Sequence, residues 1–410
     1  MSFDVERIKG DFPILSRQVN GKRLVYLDSA SSSQKPTAVL DAMDEHYRSY
    51  YANIHRGVYT IAEESTAEYE RARASVARFI GAASPSEVVF TKNITEAINL
   101  FAHSWGRTNL QAGDAVLVTE MEHHANIVPW HILAAERGIE VRWLPIDGDY
   151  RLDVSQLDQL LDGVKLFAFT AMSNVLGTVN DVRALAAAGH AAGATVLVDA
   201  AQAVPHAGVN VQEWGADFVG FTGHKMLGPS GIGGFWATPE LLESMPPFLG
   251  GGEMILDVRK DGYTPNEVPW KFEAGTMPIV EATGLGAAVE YLEAIGIDAV
   301  HEHEQQLTAY ALGALHDRFG SRLKIHGPQS MDGRGGIVSF AFDGIHAHDI
   351  SQVLDEDAIC VRASHHCAKP LMRVLQVSAN TRASFYLYND EADVDALVEG
   401  LARAEKFFAI

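Results

Sequence analysis

The chain has 410 residues, 47% hydrophobic and 21% charged, a globular composition with room for roughly two to three domains. Its 53 acidic and 32 basic residues give a net charge of −21 with no lysine- or arginine-rich run, which argues against nucleic acid and anionic membranes as partners. There is no apolar run near the ~20 residues of a membrane helix, no charged-then-apolar export pattern at the start, and only two cysteines, Cys360 and Cys367, so a cytoplasmic chain without a disulfide framework is expected.

Residues 1 to about 20 read as a short helix and an extended lead-in, and Leu24–Leu27 as a strand. Residues 37–51 are helical, with Val39, Leu40, Met43 and Tyr47 spaced for one face. Residues 62–80 form a second helix. An alternation follows, with strands at 88–90, 115–118, 139–144, 164–170, 195–198, 218–221 and 234–237. Helices at 95–105, 124–137, 154–161 and 181–192 lie between the first five of these strands. The strands are continuous apolar runs, the mark of burial on both faces, so a mostly parallel sheet covered by helices is expected. The rhythm breaks near Gly250-Gly-Gly252, and the polar stretch to Glu273 suits a hairpin. A smaller α+β domain is expected to begin with a helix at 281–295, followed by a helix at 301–319 and an alternating, half-exposed strand at 337–341. Further elements are a helix at 348–355, strands at 359–361 and 383–388, and a closing helix at 390–408. The expected divisions are residues 1–20 packing on the small domain, a large domain at 21–280 and a small domain at 281–410.

Open α/β sheets bind ligands beyond the carboxyl ends of their strands. The polar residues there are Thr95, the pair His123 and His124, Asn174, Asp199 with Gln202, and Thr222 with His224 and Lys225. Taken singly, Thr95 reads as a helix N-cap and Lys225 as a surface charge. Together they suit pyridoxal phosphate. Its phosphate needs a helix N-terminus and hydroxyls, its aldehyde an amine, its ring nitrogen a carboxylate and its ring face a flat partner.

Four stretches go further: Val198-Asp-Ala-Ala-Gln202, Thr222-Gly-His-Lys225, Met121-Glu-His-His-Ala-Asn-Ile-Val-Pro-Trp130 and Arg362-Ala-Ser-His-His-Cys-Ala-Lys-Pro-Leu-Met372. They resemble the Suf-type (group II) cysteine desulfurases, fold-type I pyridoxal-phosphate enzymes of the class-V aminotransferase family, and the resemblance runs through nearly the whole chain. It implies an α/β fold with a large domain that binds pyridoxal 5'-phosphate and a small α+β domain that carries Cys367 and Arg382. By the same resemblance Lys225 forms the Schiff base and acts as catalytic base, Asp199 pairs with the ring nitrogen and Gln202 with the phenolic oxygen. His123 stacks on the ring and serves the catalysis by moving protons. Thr95, Thr222 and His224 bind the phosphate, with Thr276 reaching the neighbouring subunit's phosphate in a homodimer. Asn174 and Arg382 hold the carboxylate of L-cysteine, and Cys367 is the nucleophile that takes the sulfur as a persulfide. Sulfur then passes to an acceptor protein for iron-sulfur cluster assembly. The segment Gly344-Ile-His-Ala-His348-Asp349 resembles the subgroup served by a zinc-containing SufU-type acceptor rather than a SufE-type one, with His348 contacting the partner.

Three positions depart from the family pattern: Ser364, Ala200 and Ile94 stand where glycine, glycine and threonine are usual. Cys360 reads as a core strand residue, and a built-in metal site is not expected. Selenocysteine or cysteine sulfinate as substrate, an aminotransferase or epimerase, and a non-enzymatic scaffold remain the alternatives.

Overall fold

The computed structural model describes residues 3–408. A short helix, Val5–Gly10 (α1), leads to a two-residue strand, Val25–Tyr26 (β1). Two helices follow, Thr37–Ser49 (α2) and Thr60–Phe79 (α3). The alternating region then supplies Val88–Thr91 (β2), Ile94–Phe101 (α4), Ala115–Thr119 (β3), Val128–Arg137 (α5), Glu140–Leu144 (β4) and Val164–Thr170 (β5). It continues with Val182–Ala191 (α6), Thr195–Asp199 (β6), Phe218–Thr222 (β7) and Gly233–Ala237 (β8).

These seven strands form one sheet in the order β2-β8-β7-β6-β5-β3-β4. Only β8 runs antiparallel to its neighbours, so the other six point their carboxyl ends at one rim. The continuous apolar runs behave as expected, because successive side chains reach opposite cores. Val88, Leu117, Phe167, Val198 and Phe221 join one buried cluster, while Val89, Val118, Leu166, Leu197 and Phe218 join the other.

The polar stretch after β8 forms the expected hairpin, Ile255–Arg259 (β9) and Gly262–Pro265 (β10), which stands out into solvent. Next comes Ile279–Ile295 (α7), expected to open the small domain. It packs instead against α2 and α3 of the large domain. Small residues permit that approach: a Cβ on Gly286 would sit 2.9 Å from Ala72 Cβ. The division expected at 280 therefore falls after this helix.

The small domain holds Ile297–Phe319 (α8), Leu323–His326 (β11), Ile337–Phe342 (β12) and Ala347–Asp355 (α9). It is completed by Ile359–Cys360 (β13), Arg362–Ser364 (β14), Lys369–Val374 (α10), Asn380–Ser384 (β15) and Glu391–Phe407 (α11). Its antiparallel sheet has the order β11-β12-β15-β14. The expected half-exposure of β12 fails. Val338, Phe340 and Phe342 pack with Leu315 of α8, Ile350 of α9 and Leu397 of α11. On the other face, Ser339 Oγ donates to Val175 O of the large domain at 2.6 Å.

The start of the chain also departs from the expected boundaries. β1 pairs in parallel with β13, with Val25 opposite Ile359, so the large domain does not begin at 21. The segment before it touches both domains: Lys9 pairs with Asp390 and Asp393, while Phe12 lies edge-on to Tyr291 of α7 and to Tyr388. Cys360, expected in the core, is half-buried. Among the described residues no helix is long and apolar enough to cross a membrane.

Candidate active site

The rim formed by β2, β3, β5, β6 and β7 opens into a pocket that the small domain closes from the other side. Thr95, His123, Asn174, Asp199, Gln202, Thr222, His224, Lys225 and Arg382 all line it, joined by Arg362 and His366.

Lys225 ends a one-turn 3-10 segment, Gly223–Lys225, directly after β7. The turn is tight: a Cβ on Gly223 would come within 2.8 Å of Ile232 O. The loop beneath it is gripped from residues 32–35. His224 O accepts from Ser33 N at 3.0 Å, Ser32 Oγ at 3.1 Å, Ser33 Oγ at 3.2 Å and Lys35 Nζ at 3.1 Å. Burial pushes the Lys225 amine down to about 8, opposed by Asp199 and Cys367 and reinforced by Arg382 and Arg362. The amine can therefore be neutral at mildly alkaline pH, as a nucleophile or base requires.

Asp199 ends β6 and is buried, with Ala201 N donating to its Oδ1 at 3.0 Å. Burial raises its pKa, against that amide and Lys225. His123 sits on the β3 side, where its Nδ1 accepts from Ala125 N at 3.1 Å. That bond leaves Nε2 to carry the proton of the neutral ring. Burial, then Lys225, His124, Arg362 and Arg382, press its pKa to about 3, so the ring is uncharged. His224 is likewise lowered to about 4 by burial, Lys225 and Lys35.

Thr95 lines the pocket but does not cap α4. Asn93 does, its Oδ1 accepting from Glu96 N at 3.0 Å, and Thr95 lies exposed in the first turn. Ile94 packs against Gly220, where a Cβ would come within 2.9 Å of it. Thr276 is outside this pocket and exposed, beside Lys92 and Glu96. Its segment is anchored by Glu273, which pairs bidentately with buried Arg73 at 2.6 and 2.9 Å and accepts from Tyr69 Oη and Phe90 N.

Arg382 is buried on β15. Its Nη1 donates to Asn174 O at 2.8 Å, and its Nη2 to Ser31 Oγ at 2.7 Å and Asp28 Oδ1 at 3.1 Å. The whole guanidinium fork is thus not open to a substrate carboxylate; Nε has no protein partner, and Nη1 has a second hydrogen to give. Asn174 Nδ2 donates to His366 O at 2.8 Å. Arg362, to which sequence reasoning assigned no role, donates to Ser31 Oγ at 2.9 Å. Its signal was its place in the Cys367 motif, on a strand leading to the nucleophile.

Cys367 is half-buried on the loop between β14 and α10, with φ of 54° following 50° at His366. His366 is buried, its Nε2 on Asn380 Oδ1 at 2.5 Å, and its pKa is driven to about 3 by burial and then by Arg382. His346 and His348 are exposed at the start of α9 with stacked rings 5.3 Å apart, and neither lines the pocket. Among the described residues no three His, Cys, Asp or Glu side chains are grouped to hold a metal.

The pocket fits pyridoxal phosphate. Thr222 Oγ1 and Gln202 Oε1 are buried polar atoms without a protein partner, and Gln202 Nε2, bonded to Ala30 O at 2.8 Å, has a second hydrogen to give. A lysine with a lowered pKa, a buried carboxylate and a neutral imidazole face the same space.

The aminotransferase class-V family profile matches residues 25–397. The chain is 50% identical to a "Probable cysteine desulfurase" of Streptomyces coelicolor, covering 99% of this chain and 98% of that one. It is 49% identical to a cysteine desulfurase of Serratia proteamaculans, covering 99% of each. Among solved structures, the apo cysteine desulfurase of Thermococcus onnurineus matches with TM-score 0.93 at 37% identity, covering 98% of each chain. An Escherichia coli cysteine desulfurase in S-sulfonic acid form matches with TM-score 0.91 at 37% identity, covering 99% of this chain and 100% of that one.

Proposed function

Since this chain belongs to the aminotransferase class-V family, and within it to the cysteine desulfurases, we propose that it takes sulfur from L-cysteine, releases L-alanine and holds the sulfur as a persulfide on Cys367. The observation that carries the reading is the meeting of Lys225 and the Cys367 loop at one pocket, each from its own domain.

The family's cofactor is pyridoxal phosphate, and the pocket residues suit it: Thr95, Thr222 and His224 for the phosphate, Gln202 for the phenolic oxygen, Asp199 for the ring nitrogen and His123 for the ring face. When bound, it supplies an electron sink that makes the substrate Cα–H acidic. Lys225 is the base for that proton, its amine already desolvated. Arg382 Nε and the Asn174 amide orient the substrate carboxylate. The Cys367 thiolate attacks the substrate sulfur. A sulfur–sulfur bond forms as the carbon–sulfur bond breaks, and the bonding electrons stay on carbon, which takes a proton to become the methyl group of alanine. Neutral His123 can pass protons at its Nε2.

The finer reading is a Suf-type enzyme of the cytoplasm that hands its sulfur to a SufU-type acceptor for iron-sulfur cluster assembly, with exposed His348 as a contact. We propose a homodimer in which Thr276 and the β9–β10 hairpin serve the neighbouring site. Exposed apolar side chains on and after α2, Leu40, Tyr47, Tyr51 and Val58, support a covered face.

The test is alanine and sulfide release from L-cysteine under reducing conditions, with wild type and Cys367→Ala side by side. Both products from wild type and little of either from the variant support the reading. Undiminished turnover by Cys367→Ala, for L-cysteine, overturns it in favour of chemistry that needs no nucleophilic cysteine.

A further inference from the structure

His124 has no role in the chemistry above and does not line the pocket, yet it makes several contacts to the loop of Cys367. It opens the 3-10 turn His124–Asn126 of the large domain. Its backbone N donates to Cys367 O at 2.7 Å. Its ring Nε2 accepts from Lys369 N at 3.0 Å. Its ring also lies 5.7 Å from that of His365, whose Nδ1 accepts from Cys367 N at 3.1 Å. The two bonds of His124 fall on the cysteine carbonyl and on the amide two residues later.

The loop needs such support. His366 and Cys367 both have left-handed backbones, a conformation that costs residues with a side chain of order 1–3 kcal/mol each and persists only where surrounding contacts impose it. Within the small domain, His366 is tied to Asn380. From the large domain the ties are Asn174 Nδ2 to His366 O and the two bonds of His124.

We infer that His124 is a positioning residue for the nucleophile, a large-domain clamp whose neutral imidazole and backbone amide hold the strained Cys367 loop against the pocket. The inference rests on Cys367 being the nucleophile. An imidazole that accepts at Nε2 carries its proton at Nδ1, and a second proton would remove the acceptor. The titratable groups facing it are His123 on its own turn and His365, Cys367 and Lys369 on the loop. Burial, then His365 and Lys369, keep its pKa below the ordinary imidazole range.

His124→Ala and His124→Gln test this as holoenzymes, beside wild type and Cys367→Ala. The glutamine amide oxygen can accept where the imidazole did. Iodoacetamide labelling, resolved by peptide mass spectrometry, reads the loop without turnover. His124→Ala should label at Cys367 about fivefold faster than wild type with Cys360 unchanged, and its kcat should fall about tenfold with KM within about twofold, as expected when a reacting group is misplaced rather than removed. His124→Gln should lie near wild type in both. Labelling and kcat of His124→Ala both within about twofold of wild type would overturn the inference, as would equal losses in the two variants. If Cys367→Ala keeps its activity, the nucleophile reading fails, while the labelling rates still report whether His124 holds the loop.

Discussion

Arg362 and Arg382 stand directly opposite each other on β14 and β15, and the Ser31 hydroxyl accepts from both. Like charges in cross-strand register repel. Asp28 is the carboxylate bonded to Arg382 there, so the pair leaves positive potential over the pocket. That suits an amino-acid substrate entering by its carboxylate. Arg382→Ala should raise KM for L-cysteine by about 10- to 100-fold, the worth of a lost charge-assisted hydrogen bond, with a smaller effect from Arg382→Lys. Steady-state kinetics decide it. An unchanged KM would remove Arg382 from substrate recognition.

The lowered pKa of Lys225 has a pH signature. Only the neutral amine can react with an aldehyde, and the amine titrates at about 8. Uptake of pyridoxal phosphate by the apo protein should therefore quicken as pH rises toward 8 and level off above it. Growth of visible absorbance after mixing reports the rate. A rise continuing past pH 10 would mean an ordinary, solvated lysine.

The buried pair Arg73 and Glu273 predicts a large stability effect. Glu273→Ala takes the bidentate partner from the buried Arg73 guanidinium, leaving it Glu70 as its one carboxylate, and strips partners from Tyr69 and Phe90 N, at a cost of about 3 kcal/mol, the low end for a broken buried ion pair. Urea unfolding of the apo protein measures this. A loss below about 1 kcal/mol would indicate that water replaces the carboxylate.

The apolar side chains on and after α2 make an association prediction. Val58 is 93% exposed and Tyr47 56%. Val58→Asp should shift the protein toward monomers in sedimentation velocity and lower its cofactor content, if Thr276 completes the neighbouring pocket. A variant that stays dimeric would put the interface elsewhere.

The pocket was legible in the sequence because strand ends are legible. Continuous apolar runs located β2, β3, β5, β6 and β7, and the residues after each run reach one rim by topology. Packing partners were not legible. The periodicity of α7 could not say which domain it joins, and only close approach to α2 and α3 decides it. Of the face expected on α2, Val39 is buried, while Leu40 and Tyr47 are exposed, because spacing does not reveal whether a stripe meets its own chain. The local pattern offers Thr95 as the cap of α4, but Asn93, two residues earlier, has the extended backbone that capping needs. Arg362 acquires its role from cross-strand register with Arg382, a relation that no local pattern contains.

The parallel pairing of β1 with β13 joins residue 25 to residue 359. During synthesis the first partner leaves the ribosome long before the second exists. The loop after β1 supplies Asp28 and Ser31 to Arg382, and Ala30 O to Gln202. The bond to Gln202 needs only the first half of the chain, but those to Arg382 cannot be completed until almost the whole chain has emerged. A nascent large domain can fold its sheet early, but this wall of the pocket is among the last parts to assemble, so a chain truncated before residue 359 would lack it.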